Sequence, residues 1–521
     1  MTETQALTEA DRPRGAEHFD VLIVGAGISG IGTAYHLQSN HPHRSYAILE
    51  GREASGGTWD LFRYPGIRSD SDLPTFSYEW RPWTGEKALA DGQEILDYIR
   101  ATAAEHGIEE RIRYGHRVTR ADFDTSANVW TVEVDRGADG TATFTCDWLF
   151  GATGYYRYDE GYTPHFEGRE RFTGAGGQIV HPQHWPEDLD YAGKRVVVIG
   201  SGATAVTLIP AMAQGDGAAA HVTMLQRSPS YVMTIPSRDF IANAIRKAFG
   251  DEAAHRIARR KNVWMQRMTY RLARRRPQLT RRLIRAMQKQ QLPEDFDIDT
   301  HFKPSYDPWD QRLCMVPDGD LFRAISRGNA AVVTDRIRTF TEAGIELESG
   351  RVLEADIIVT ATGLNLLAFG GIEVSVDGVK GDPAETTAYL GAMLSGVPNF
   401  AFAIGYTNAS WTLKVDLVGE FFARLLTHMD EHGYDRCVPE VGAEVQRRPL
   451  LDFAAGYVQR SIDEFPAQGD RGPWQLTMDY AKDVPLFTGQ PLDDGSLRFS
   501  RTGAGGEAED IPAAERELAL A

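Results

Sequence analysis

The sequence predicts an α/β protein made of two Rossmann-like dinucleotide-binding domains, the first discontinuous and the second inserted into it, with a helical insertion in the second. Three observations carry this. The chain holds two glycine-rich fingerprints, Gly25-Ala26-Gly27-Ile28-Ser29-Gly30 and Gly200-Ser201-Gly202-Ala203-Thr204-Ala205. Each follows directly on an aliphatic run, Phe19 to Val24 and Arg195 to Ile199. The tripeptide Ala-Thr-Gly closes two further strand-like runs, at 152–154 and 361–363. In such a unit a strand ends, glycines let the backbone approach a pyrophosphate, and the next helix points its N-terminal amides at the phosphate charge. One dinucleotide needs one such loop, so two loops predict two dinucleotides, held so that one can reduce the other.

The first unit continues into a short strand, Ser45 to Leu49, that ends in Glu50, where an acid would hydrogen-bond a ribose hydroxyl. That favours an adenosine without a 2′-phosphate, as in FAD or NAD. The second unit continues into His221 to Gln226 and ends in Arg227-Ser228, with no acid there. A forked guanidinium and a hydroxyl suit a 2′-phosphate. The expected pair is therefore FAD on Gly25, Gly27, Ser29, Gly30 and Glu50, and NADPH on Gly200 to Ala205, Val206, Arg227 and Ser228.

Strand-like stretches at Trp130 to Val134 and Asp147 to Phe150 lead into the first Ala-Thr-Gly, and Asp356 to Thr360 into the second. In proteins with two such units these tripeptides mark where the chain passes between domains; taken alone, each reads more readily as a plain strand end with a turn glycine. The expected organisation is a first FAD segment over 1–158, NADPH segments over 159–240 and 301–354, a basic helical insertion over 241–300, and a second FAD segment over 355–521 that includes a C-terminal tail. Gly405 to Trp411 followed by an apolar helical pattern predicts a further loop and helix facing the first cofactor.

With 521 residues, 42% hydrophobic and 25% charged, the chain has material for about three soluble domains. A net charge of −18 opposes general nucleic-acid binding, which relies on basic surface. Three cysteines, Cys146, Cys314 and Cys437, make neither a disulfide framework nor a spaced metal site and fit a reducing cytoplasm. Residues 1–19 lack the apolar core of a signal peptide, no segment has the eighteen or so apolar residues of a membrane span, and the acidic, alanine-rich end from Glu507 reads as a frayed tail. One segment departs from the acidic whole. Arg256 to Lys289 contains no Asp or Glu, and Trp264, Met268, Tyr270, Leu272, Leu279, Leu283 and Met287 recur at helical spacing among its arginines. This predicts a basic amphipathic helical pair broken near Pro277, packing on its own apolar stripe or lying on an anionic membrane as a peripheral contact.

Two dinucleotide units fit reductases, disulfide oxidoreductases or monooxygenases. No close pair of cysteines exists, which removes the disulfide class. What remains is decided by Gly-Gly-Thr-Trp-Asp-Leu-Phe-Arg-Tyr-Pro-Gly-Ile-Arg-Ser-Asp-Ser-Asp from Gly56, His-Pro-Gln-His-Trp-Pro-Glu-Asp-Leu-Asp-Tyr from His181, Pro-Trp-Asp-Gln-Arg-Leu-Cys from Pro308, and Tyr-Thr-Asn-Ala-Ser-Trp-Thr-Leu-Lys from Tyr406. On these segments, and over nearly its whole length, the chain resembles the class B flavin monooxygenases of the Baeyer–Villiger type, closest to their ethionamide-activating subgroup. One departure stands out. The family spaces its linker glycine and histidine by three residues, whereas Gly174 precedes His181 by six; Gly177 restores the spacing, which points to a short insertion after Phe172.

The resemblance implies that NADPH reduces FAD, dioxygen adds to the reduced flavin, and a C4a-peroxyflavin waits for a small apolar ketone or sulfur substrate. It places the stabilising positive charge on Arg312, tuned by Asp70 through a carboxylate–guanidinium pair. It places Thr58, Trp59, Asp60, Leu61 and Asp70 at the flavin, Ser29 and Glu50 at its adenosine half, Val118 near the adenine, and Arg68 and Ser69 at NADP. His181 and Trp185 are expected to couple the domains, and Trp411 to form an apolar wall or a neighbour of the nicotinamide; it reads equally as a core tryptophan. No metal is expected. The alternatives are an N-hydroxylating or strictly sulfur-oxidising flavin monooxygenase, or an uncoupled NADPH oxidase or redox sensor.

Overall fold

The computed structural model describes residues 15–311, 313–451 and 455–502, together with the backbone of 508–510. Its first sheet has eleven strands. β1 (Glu17–Val24) runs parallel to β2 (Tyr46–Leu49) on one side and to β6 (Thr141–Gly151) on the other, with β3 (Ile112–Arg113) beyond β2. β4 (Arg117–Asp124) and β5 (Val129–Asp135) join β6 as an antiparallel meander, and Glu373–Val376 and Phe400–Phe402 return late in the chain to pair with β4 and β6. The end of β1, Val21 to Val24, is an unbroken apolar run because both of its faces are covered. Val21 and Ile23 meet the helices Ile28–Asn40 and Trp411–His432, while Leu22 and Val24 meet the aromatic and aliphatic side chains of β4 and β5.

The second sheet is a five-stranded parallel one, in the order Ala330–Thr334, His221–Gln226, Arg195–Ile199, Ile357–Thr360, Gln178–Val180. Ile357–Thr360 therefore belongs here and not to the returning first unit. The boundary expected after residue 354 lies later, because this strand completes the sheet by pairing with both Arg195–Ile199 and Gln178–Val180. The stretches that follow the two Ala-Thr-Gly tripeptides, Tyr156–Gly161 and Leu364–Leu366, pair antiparallel with each other. Both crossings between the sheets thus run side by side as one ribbon. The frayed C-terminal tail is also corrected in part, since Ala508–Asp510 pairs with Leu497–Thr502; residues 511–521 lie outside the described residues.

The basic insertion folds as three helices, Phe240–Phe249, Asp251–Arg275 and Pro277–Lys289. Pro277 opens the third, where its missing N–H costs nothing and its fixed φ suits the first turn. The middle helix does not pack on its apolar stripe as expected. It turns a polar face inward: buried Arg259 donates to the carbonyls of Pro74 (3.1 Å) and Ser77 (2.9 Å), and Asn262 and Gln266 donate to Asp72 at 2.7 and 2.6 Å. Arg267 and Arg271 pair with Asp479. These partners won because the surface of the first unit there offers carbonyls and carboxylates, which need donors when covered.

Candidate active site

A cleft of about 480 Å³ opens where the two glycine fingerprints meet. Gly25, Gly27, Ser29 and Glu50 line it from the first unit, and Ala203, Thr204 and Val206 from the second. The helices Ile28–Asn40 and Ala203–Met212 start on Gly27 and Gly202 with no side-chain cap and no acid in the first turn, so their N-terminal amides stay available to an anion. Each unit has the same backbone demand at its first glycine. A Cβ on Gly25 would lie 2.6 Å from the Ala152 carbonyl oxygen, and one on Gly200 would lie 2.3 Å from that of Ala361. The alanine of each Ala-Thr-Gly is thus seated against the first glycine of its own fingerprint, which explains why the two motifs recur together.

Glu50 is buried and holds its own loop: its carboxylate accepts from the Ala26 amide at 2.7 Å and the Arg52 amide at 3.0 Å. Burial pushes its carboxyl above the ordinary carboxylate value, against the two amides that draw it down. Thr58 and Trp59 begin a short helix, Thr58–Leu61, at the cleft, and Thr58 shares a 3.1 Å hydrogen bond with the Tyr158 hydroxyl. Trp411 donates through Nε1 to Ser29 Oγ at 3.0 Å and stands 5.1 Å from the Tyr155 ring, making one wall. Arg68, Ser69, Asp70 and Val118 line the cleft as well. The cradle fits a dinucleotide: glycine backbone on one side, uncapped helix starts at two points, a buried acceptor carboxylate beside the first, and apolar walls from Trp59, Phe62, Ile67, Met315 and Leu364.

Other expected residues lie outside the cleft lining. Gly30 packs the first helix onto its loop, since a Cβ there would meet the Gly25 carbonyl oxygen. Asp60 is buried beneath three guanidinium groups, Arg52, Arg63 and Arg100, and Leu61 follows it on the same short helix; neither lines the cleft. Gly200, Ser201, Gly202 and Ala205 belong to the same loop and helix start as Ala203 but do not line the cleft themselves. Arg227 and Ser228 are exposed at the end of His221–Gln226, and the Ser228 carbonyl accepts from Ser201 Oγ at 3.4 Å. Arg312 lies outside the described residues.

His181 and Trp185 stand at the junction. His181 Nε2 meets the Gly363 carbonyl at 3.2 Å, its Nδ1 accepts from the Gln183 amide, and its ring lies on Gly161, where a Cβ would come within 2.0 Å. Burial lowers its pKa below the usual imidazole value, which disfavours the charged ring. Trp185 packs on the core of the second unit. The apparent insertion after Phe172 resolves in the same region: Gly177, not Gly174, is the glycine that a side chain could not replace, because its Cβ would strike the Phe172 ring at 2.5 Å.

Several residues here were not singled out as site residues by the sequence. Asp320 pairs with Arg68 at 2.6 Å, and Gln183 donates to the Arg157 and Tyr158 carbonyls at 2.8 and 2.9 Å, tying the linker to the ribbon. Buried Lys414 and Tyr406 both donate to the Asp483 carboxylate, at 2.8 and 2.7 Å, and Tyr406 lines the cleft. Tyr64 also lines it, with a hydroxyl that burial raises to about 12. The tyrosines after Ala152-Thr153-Gly154 were legible as sequence but not as wall, since only the pairing of the two crossings brings them to the cleft.

A model of the family described as flavin-binding monooxygenase-like matches residues 87–385, and one of the NAD(P)-binding Rossmann-like domain matches residues 23–82. The chain belongs to the flavin-binding monooxygenase-like family. It is 54% identical over 487 residues, 93% of its length and 98% of the relative's, to the FAD-containing monooxygenase EthA of Mycobacterium tuberculosis. It is 48% identical over 486 residues, 93% of its length and 97% of the relative's, to the probable FAD-binding monooxygenase AlmA of an Acinetobacter species. Its fold is similar to that of an oxidized steroid monooxygenase bound to NADP, with a TM-score of 0.72 at 23% identity, covering 93% of this chain and all of that one. OTEMO in complex with FAD and NADP is similar to the same degree, with a TM-score of 0.72 at 19% identity over the same shares. This flavin monooxygenase therefore takes FAD and NADP(H) as cofactors. Among the described residues no helix is long and apolar enough to cross a membrane.

Proposed function

We propose that this flavin monooxygenase consumes NADPH and O2 to insert one oxygen atom beside the carbonyl of a small apolar ketone, giving an ester or lactone, or onto the sulfur of a sulfide or thioamide. The observation that carries the reading is the single cleft onto which both fingerprints open, with apolar walls beside polar loops. When bound, FAD supplies the chemistry that activates dioxygen after accepting hydride from NADPH. The residues of the chain do the rest. Gly25, Gly27, Ser29 and Glu50 hold the adenosine half of FAD, with Val118 near the adenine; Thr58, Trp59 and Asp70 frame the flavin, and Leu61 ends the short helix that carries Thr58 and Trp59. Ser201 to Val206, with Arg227 and Ser228, hold NADPH, which Arg68 and Ser69 meet from the flavin side. Arg312, oriented by Asp70, supplies the fixed positive charge where negative charge develops on oxygen, in a site where walls such as Trp411 and Tyr406 exclude water. His181 and Trp185 keep the two units in register through the paired crossings.

The domain assignment is part of the same reading, with a FAD unit over 1–158 and from about residue 364 onward. Residence in the cytoplasm accords with three buried cysteines that form no disulfide among the described residues. The experiment is NADPH consumption by the purified protein with a panel of ketones and sulfides and product analysis for added oxygen. Ester or lactone from a ketone, or sulfoxide from a sulfide, supports the proposal. Product from sulfides alone narrows it to sulfur oxidation, hydroxylamines from amines point to N-hydroxylation, and peroxide without product in every case refutes oxygen transfer.

A further inference from the structure

The three insertion helices expose ten large apolar side chains, whereas the rest of the described chain exposes only Val352, Val379 and Val441. Such clustering is not the scatter of single apolar residues found on ordinary surfaces. The most exposed are Phe240 (76%), Phe249 (75%) and Trp264 (62%). On the middle helix, Ile257, Trp264, Met268 and Leu272 follow one another at helical spacing along a single stripe. That stripe lies opposite the buried side carrying His255, Arg259, Asn262 and Gln266. The helix is thus reversed relative to a surface helix of a globular protein: its polar face is against the fold and its apolar face is outside.

Charge identifies what covers the stripe. Residues 240–289 contain fifteen Lys or Arg and two acidic residues, a net of +13 in a chain of −18, which leaves −31 on the remainder. Eight of the fifteen are paired with carboxylates, several of them across to the first unit or to the 299–310 segment. The other seven, including Arg256, Arg260, Arg275, Arg276 and Arg282, are exposed and have no carboxylate partner among the described residues. We propose that this face docks on an anionic lipid bilayer, the apolar stripe entering the headgroup–acyl boundary and the free arginines meeting lipid phosphates. The acidic remainder is repelled by the same surface, so only this face can approach it, and the orientation follows from the charge distribution. On the inner side of the third helix, Ile284 shares an apolar cluster with Tyr231, Leu313 and the cleft-lining Met315. Docking therefore brings the bilayer to the helices that back the cleft wall.

The test is co-sedimentation of the purified full-length protein with vesicles of phosphatidylglycerol and phosphatidylcholine in equal parts, and with phosphatidylcholine alone, at low and high salt, beside sedimentation velocity without lipid. The expected result is binding to the anionic vesicles at low salt, at least tenfold weaker on pure phosphatidylcholine and weakened by salt. Trp264→Ser/Met268→Ser/Leu272→Ser and Arg275→Gln/Arg276→Gln/Arg282→Gln should each lower it at least tenfold, with flavin content unchanged because none of these residues lines the cleft. Absence of binding at low salt, or equal binding by the variants, overturns the proposal. A wild-type oligomer that the triple serine variant dissolves, without vesicle binding by either, shows instead that a second copy covers the stripe. None of these readouts depends on oxygen transfer, so failure here leaves the catalytic reading standing and the reverse.

Discussion

Replacing Gly200 by alanine should separate the two dinucleotide sites. Gly200 has φ 138°, a region that side chains rarely adopt, and forcing alanine into it costs about 1–3 kcal/mol. The added Cβ would lie 2.3 Å from the Ala361 carbonyl oxygen. An ordinary contact is roughly 3.5 Å, so loop or carbonyl must retreat by about 1 Å. The loop begins the Ala203–Met212 helix, whose uncapped amides stay available to an anion in the second unit. Misplacement of about 1 Å in a positioning element costs on the order of 100-fold in rate. The first fingerprint, seated on Ala152, is untouched. The expected outcome is a yellow protein with full flavin content whose kcat/KM for NADPH falls about 100-fold. The assay is steady-state NADPH oxidation against NADPH concentration, with flavin absorbance per protein measured in parallel. Unchanged kcat/KM for NADPH, or loss of flavin with NADPH kinetics intact, would refute the assignment of the two loops.

Glu50→Gln keeps the shape of an acceptor but removes its charge, and should weaken FAD binding by about 1.5–3 kcal/mol, roughly 10- to 100-fold, in titrations of flavin-free protein. Arg312→Ala should retain FAD and NADPH-dependent flavin reduction yet yield no oxygenated product; full product formation would sink the role given to that arginine. Gln183→Ala leaves the Arg157 and Tyr158 carbonyls without their donor. It should cost about 2 kcal/mol of stability in denaturant titrations and raise the share of NADPH oxidised without product. His255 is buried with no hydrogen-bond partner for either ring nitrogen among the described residues, and burial beside Arg259 lowers its pKa to about 4. The unfolded chain therefore takes up this proton first as pH falls, so stability is lost between about pH 6.5 and 4, by at most about 3 kcal/mol. His255→Phe should flatten that part of the stability–pH curve; an unchanged slope would show that other groups set it.

Much of the fold was legible because local chemistry and tertiary role coincide in a Rossmann unit. An aliphatic run must be a buried strand, the glycines must turn, and an uncapped helix must follow, so both units and the acid at Glu50 could be read in order. Pro277 likewise broke the basic helices where its ring requires. Where sequence reading failed, the deciding force was a partner distant in the chain. Ile357–Thr360 is as apolar as a strand of either sheet, and only its pairing assigns it to the second. Asp60 stands in the same motif as the cleft-lining Thr58 and Trp59, yet guanidinium groups from three other positions claim it. Gln183 and Asp320 carry no pattern, because a hydrogen bond across the junction needs only a donor or acceptor at the right place. The middle insertion helix shows the limit most plainly. Its periodicity foretold a helix with an apolar stripe, but periodicity cannot say which face turns inward. That was decided by the carbonyls and carboxylates of the first unit, which required donors and left the apolar side outside. The sequence by itself thus determined the two cofactor loops and the chemistry they admit, because those rest on backbone freedom and charge within a few residues. Only the tertiary structure decided how the loops share one cleft and which surface keeps its apolar side chains exposed, because both depend on which distant groups compete for each face.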